Sequence, residues 1–206
     1  MDLNDSSPTR RSLISRLRNW NDQASWQQFF DTYWKLIYSV ALKAGLSDEE
    51  AEDVVQETVL SVAKKMGDFK YDPAVCSFKG WLMHVTRLRI KDQLRKRLPA
   101  AALARGPRTD TGTGTIGRIA DPAGDGMESV WNEEWEKNLM DVALARVKRR
   151  VRPEHYQIFY MNVVQRLGVR KVASMLGVST GQVYLVKHRI GGLLRQEINQ
   201  LETRAV

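Results

Sequence analysis

Three runs of this 206-residue chain hold side chains whose types and spacing could do chemistry, and in each that chemistry is binding. In the first, Tyr184, Leu185, Lys187, His188 and Arg189 crowd into six positions. The cations suit phosphates or guanine edges, and the ring and the leucine suit sugars or thymine methyls. In the second, His84, Arg87, Lys91 and Arg95 fall at i, i+3, i+7 and i+11 and make a basic ridge. Like charges at helical spacing oppose one another unless an anion neutralises them. Phe78, Trp81, Leu82 and Val85 cover the opposite side, and Phe69, Lys70 and Tyr71 lie in the preceding loop. Charge beside aromatic rings is what separated nucleic-acid strands require, the charge for backbone and the rings for unstacked bases. Trp81 also fits a second role as core packing. In the third run, Asp53 is flanked by Glu49, Gln56, Glu57, Leu60 and Lys64, opposite an apolar stripe centred near Val62. An acidic stripe with an exposed leucine is either a contact surface for a basic partner or a plain charged face.

Other chemistries find no residues to carry them. One cysteine, Cys76, excludes an internal disulfide, and three scattered histidines (His84, His155, His188) cannot assemble a metal cluster. No nucleophile–base set or paired carboxylates stand out, so no catalytic activity and no cofactor are expected. Gly112 to Gly117 matches G-x-G-x-x-G formally, but neither a strand before it nor a helix directly after supports a dinucleotide site. The net charge of +8 favours a polyanionic partner. No apolar run approaches the roughly 20 residues of a membrane-spanning helix, and the N-terminus shows no apolar secretory core, so a cytoplasmic location is expected.

These runs must be positioned by helices. Residues 1–22 read as a polar, basic lead-in, either unfolded or a short extra helix. From Trp26 to Arg97 the pattern is helical almost throughout. Phe29, Phe30, Tyr33, Trp34, Ile37 and Val40 make the apolar side of a first helix. Ser47 and Glu50 form a capping box that starts a second, whose apolar face is Ala51, Val54, Val55, Val59, Val62, Ala63 and Met66. A third runs from Phe78 to Arg97 and stops before Pro99. Residues 99–126 then hold no aromatic side chain, and 99–129 are expected to be a flexible linker. Two further helices, Trp131 to Val151 and Glu154 to Leu167, lead to a helix-turn-helix over residues 169–195. Its first helix carries Val172, Ala173 and Leu176, Gly177 makes the turn, and Val178 plugs the corner. Ser179 with Gln182 caps the second helix, which turns Val183, Val186 and Ile190 inward and Gly181, Tyr184, Leu185, His188 and Arg189 outward. A plain helical hairpin would share the periodicity, but the turn glycine, the cap and the charge together favour DNA binding. No β-alternation occurs. The expected fold is all-α, with small helical domains at 23–98 and 130–206.

In order and spacing these features resemble bacterial sigma factors of the extracytoplasmic-function (ECF) subgroup. The run Ser47-Asp-Glu-Glu-Ala-Glu-Asp-Val-Val-Gln-Glu57 is similar to their D-x-V-Q-E core-binding helix. Phe78-Lys-Gly-Trp-Leu to Arg95 is similar to their promoter-melting segment, and the C-terminal helix-turn-helix to their second DNA-binding domain. The resemblance implies a non-enzymatic subunit that binds core RNA polymerase and directs it to promoters, with an anti-sigma factor as a further partner. It implies that Asp53, Gln56, Glu57 and Leu60 contact polymerase. Phe69, Lys70, Tyr71, Trp81, His84, Arg87, Arg89, Lys91 and Arg95 would contact the −10 element. Thr180, Gly181, Gln182, Tyr184, Leu185, Lys187, His188 and Arg189 would contact the −35 element. Leu88 stands where members usually carry Asn. Gly191-Gly192 stands where they carry helix formers, so the recognition helix is expected to bend or end there. The rival reading is a stand-alone helix-turn-helix transcriptional regulator, whose helical first half would have no polymerase to hold.

Overall fold

A computed structural model describes residues 13–66, 77–97 and 125–204. Every regular element among the described residues is helical: α1 (Leu13–Arg16), α2 (Gln23–Lys43), α3 (Asp48–Met66), α4 (Phe78–Lys96), α5 (Asp125–Arg150), α6 (Pro153–Phe159), α7 (Val169–Leu176) and α8 (Thr180–Arg204). A π turn over Tyr160–Val164 continues α6. The chain divides into two compact units, Met1–Trp135 with Arg204–Val206, and Glu136–Thr203.

In the first unit, side-chain caps set where the helices begin. Asp22 caps α2 by accepting from the Ser25 amide at 3.0 Å. The Ser47–Glu50 capping box of α3 is closed in both directions: the Ser47 amide donates to Glu50 Oε2 at 2.8 Å, and the Glu50 amide donates to Ser47 Oγ at 3.3 Å. Ser77 caps α4 through the Gly80 amide at 3.1 Å. The helices then bury Phe29, Tyr33 and Ile37 of α2, Val54 and Val62 of α3, and Phe78, Leu82 and Ile90 of α4 around a common core. The last residues of the expected lead-in join this unit, because α1 and the turn after it bury Leu13, Ile14 and Leu17, while Arg16 donates to Gln28 of α2 at 3.0 Å.

Two expectations need correction here. Phe30 and Trp34 do not share the core with Phe29 and Tyr33; Phe30 is exposed and Trp34 half-buried. Residues 125–129, expected to be linker, are the first turns of α5, and Met127 is buried. The reason lies a turn further on: Trp131 is fully buried, Trp135 stacks on Tyr33 with centroids 5.7 Å apart, and Glu134 pairs with Lys43 at 2.9 Å. The start of α5, up to Trp135, thus counts with the first unit, although the sequence groups residues from 130 onward with the helix-turn-helix. The rest of the expected linker, residues 99–124, lies outside the described residues.

In the second unit the turn of the helix-turn-helix is as the residue types require. Gly177 sits at φ 65°, in the left-handed region that favours glycine, and the Val178 amide donates back to Ala173 at 3.0 Å. Ser179 Oγ accepts the Gln182 amide at 3.1 Å and caps α8. Val172, Ala173, Val183, Val186 and Ile190 are buried as their spacing predicts, with Ile158 and Phe159 of α6. The expectation that α8 bends or ends at Gly191-Gly192 is half corrected: the helix does not end there but runs on to Arg204. Past the glycines it buries Leu194 and Leu201, and buried Glu197 pairs with both Arg146 and Arg150 of α5. Those contacts offset the roughly 1 kcal/mol that each glycine costs a helix relative to alanine.

Candidate protein and nucleic-acid interfaces

The outer side of α3 begins with its amphipathic pattern, which buries Ala51, Val54, Val55 and Val62 and so turns Asp53, Gln56 and Leu60 outward. Asp53 and Gln56 are exposed, Leu60 is 49% exposed and Glu57 is half-buried. The structure divides these four between two edges. Along one, a polar seam joins α3 to α4: Gln93 Nε2 donates to Asp53 Oδ2 at 3.3 Å, and Arg89 and Lys96 each stand 3.7 Å from Glu57. Arg89 also donates to Ser61 Oγ at 3.1 Å. Along the other edge, Gln56 and Leu60 open onto a groove of about 630 Å³ between α2 and α3.

That groove holds residues missed as functional in the sequence. Phe30 and Trp34 stack at 6.2 Å, Trp34 and Tyr38 follow at 6.4 Å, and Val55 and Val59 complete the apolar wall. The signal was present: Phe30, Trp34 and Tyr38 repeat at i, i+4 and i+8, a second stripe beside the core stripe. Tyr38 donates to Asp48 at 2.6 Å, and that bond holds its phenol above the ordinary value. An apolar, aromatic concavity edged by Glu52 and Gln56 can take apolar side chains from a partner surface.

On α4 the basic residues fall on two faces. His84 and Arg95 are exposed, and Arg87 and Lys91 half-buried, along the ridge their spacing defines. Arg95 also bonds Asp92 at 3.2 Å. Arg89 is elsewhere, since two residues past Arg87 means about 200° round the helix, and its guanidinium spans Ser61, Asp92 and Glu57. Trp81 is half-buried, its ring 5.8 Å from Phe78, and so has both a core edge and an open one. Leu88 is exposed. Phe69, Lys70, Tyr71 and Cys76 lie outside the described residues.

The end of α4 is fixed electrostatically. Arg97 grips both oxygens of Glu50, Nε to Oε1 at 2.7 Å and a close Nη2–Oε2 contact, and reaches the Gly45 carbonyl at 3.2 Å. These guanidinium bonds, with the Ser47 amide, pull the Glu50 carboxyl down to about 2.

In the second unit, the residues assigned to DNA form one continuous outward face of α8. Thr180, Gly181, Gln182, Lys187, His188 and Arg189 are exposed, Tyr184 is 60% and Leu185 74% exposed. Large apolar groups this open are stable on a helix only because Val183, Val186 and Ile190 anchor its other side. A Cβ on Gly181 would meet only Ser179 Oγ, at 3.8 Å, so packing within the protein does not demand glycine there.

Among known proteins, the family description Sigma-70 region 2 matches residues 29–98. That span holds both the α3 face and the α4 ridge. The ECF RNA polymerase sigma factor BldN of Streptomyces coelicolor is 25% identical over 165 residues, which cover 80% of this chain. The chain spans 55% of that relative's length. A solved structure of CnrH in complex with the cytosolic domain of CnrY is similar over 89% of this chain and 93% of that one, at 17% identity and a TM-score of 0.36. The two helix patterns and the capping box thus lie in a segment, residues 29–98, that matches sigma-70 region 2, and the chain as a whole is similar to an ECF sigma factor.

Proposed function

We propose that the chain is a promoter-specificity subunit that binds core RNA polymerase, recognises and melts promoter DNA, and supplies no catalysis of its own. The observation that carries this reading is the region 2 match over residues 29–98, a span that includes the residues of both the α3 face and the α4 ridge. In this reading Asp53, Gln56, Glu57 and Leu60 of α3, with the aromatic groove beside them, meet the polymerase. The α4 ridge holds opened promoter DNA by charge, with Trp81 offering its open edge to an unpaired base. The outward face of α8 enters the major groove of an upstream element, where Tyr184 and Leu185 suit thymine methyls. A regulator that sequesters the chain by covering these same faces fits the scheme. No helix among the described residues is long and apolar enough to cross a membrane.

Retention on purified core polymerase tests the reading. The wild-type chain should be retained, and Gln56→Ala with Leu60→Ala should weaken retention at least tenfold, because both side chains are exposed and their loss leaves the core intact. A chain that ignores core polymerase but binds duplex DNA tightly and specifically on its own would be a stand-alone regulator instead.

A further inference from the structure

Among the large apolar residues of α4 only Leu88 is exposed, at 42%. A lone exposed leucine is ordinary on a protein surface, but this one is set apart by its neighbours. Taking about 100° per residue, it lies about 40° round the helix from His84, about 60° from Lys91 and about 20° from Arg95. It therefore stands within the basic ridge and not at the border of the core. Trp81, half-buried against Phe78, lies two turns earlier on nearly the same line, about 10 Å along the axis. Asp92, one turn further on, is answered by Arg89 at 3.1 Å and Arg95 at 3.2 Å. An indole edge and a leucine thus stand in file, bordered by cations.

Cations along this file attract a polyanion, and its phosphates satisfy them. A leucine offers a phosphate nothing, and leaving it against water is unfavourable. What complements it is an apolar group carried by the same polyanion. On an opened strand the bases are free to turn outward. Of the four DNA bases, only thymine bears an alkyl group, its 5-methyl. We propose that Leu88 is a specificity-determining residue, which selects thymine in an opened DNA strand by packing on that methyl group. The proposal rests on the reading of α4 as the surface that holds opened promoter DNA. In it, His84, Lys91 and Arg95 position the backbone and confer no base preference. Leu88 adds the selectivity of one buried methyl, about fourfold in affinity between thymine and the same base without it.

The test uses holoenzyme assembled from the full chain and core polymerase, with duplexes carrying a randomised unpaired bubble as the probe. Wild type should enrich thymine at one bubble position. Leu88→Ala should lose that preference and leave the bases selected elsewhere in the bubble unchanged. Leu88→Met, which keeps an apolar tip, should retain it. Replacing that thymine by deoxyuridine removes the methyl alone. It should weaken wild-type binding about fourfold and leave Leu88→Ala indifferent. Because Leu88 is exposed, melting curves of both variants should match wild type. A thymine preference that ignores the methyl, or a methyl effect that survives Leu88→Ala, would overturn the proposal. So would a Leu88-dependent preference for another base, or for none. A chain that forms no holoenzyme, or a holoenzyme that binds bubbles no better than closed duplex, refutes the reading of α4 itself and the proposal with it.

Discussion

Glu50 serves two partners at once, closing the α3 capping box and holding Arg97 at the end of α4. Its carboxyl is held at about 2, below its ordinary 4.5. The stabilising contribution is therefore complete above about pH 4.5 and is lost as the pH falls through about 2. Urea midpoints for the wild type should fall across that window, and Glu50→Gln, which cannot ionise, should flatten the fall. Glu197 is the opposite environment, a carboxylate only 5% exposed between Arg146 and Arg150. Replacing it with alanine leaves the partly buried Arg146 without its carboxylate while Arg150 stays in water, and should cost about 1–3 kcal/mol in urea unfolding. Among the site residues, spacing alone placed Tyr184, Leu185 and His188 outward and Val183 and Val186 inward, because one buried stripe fixes the rest of a helix. Arg89 was less legible. Spacing puts it about 200° round α4 from Arg87 and off the basic ridge, and its partners on α3 show what it meets there.

At the scale of elements, caps and periodicity specified most helices, since both are local properties of the chain. The Ser47 and Ser179 caps form as the residue types require. The errors arose where distant partners decide. Phe30 and Trp34 carry the same apolar signal as Phe29 and Tyr33, and only the position of α3 makes one pair a groove and the other a core. Gly191 and Gly192 argue locally for a helix end, yet the burial of Leu194, Glu197 and Leu201 carries α8 past them. A Cβ at either glycine would meet nothing within 4 Å. Gly192→Ala should therefore stabilise the second unit by about 0.5–1 kcal/mol, read as a higher urea midpoint. A destabilised variant would mean that the helix is bent there by something that alanine obstructs.

At the scale of the whole molecule, the proposed reading, with a net charge of +8 and basic faces on α4 and α8, predicts that salt is the main control on DNA affinity. The break in composition after residue 98 was legible as the end of α4, which stops at Lys96. What it could not reveal was that α5 begins at Asp125, six residues before Trp131, and stacks Trp135 on Tyr33 of α2. That anchoring depends on Tyr33 and Lys43, about a hundred residues away in the chain, and no window of local sequence contains both sides. In the proposed function these faces act on one enzyme and its promoter together. The most direct measurement is transcription in vitro by core polymerase on fragmented genomic DNA, with the 5′ ends of the transcripts mapped. Adding the chain should create a small set of discrete start sites sharing sequence elements upstream, and Gln56→Ala with Leu60→Ala should erase them. No new start sites with core polymerase, from a chain that still folds and binds DNA, would contradict the account.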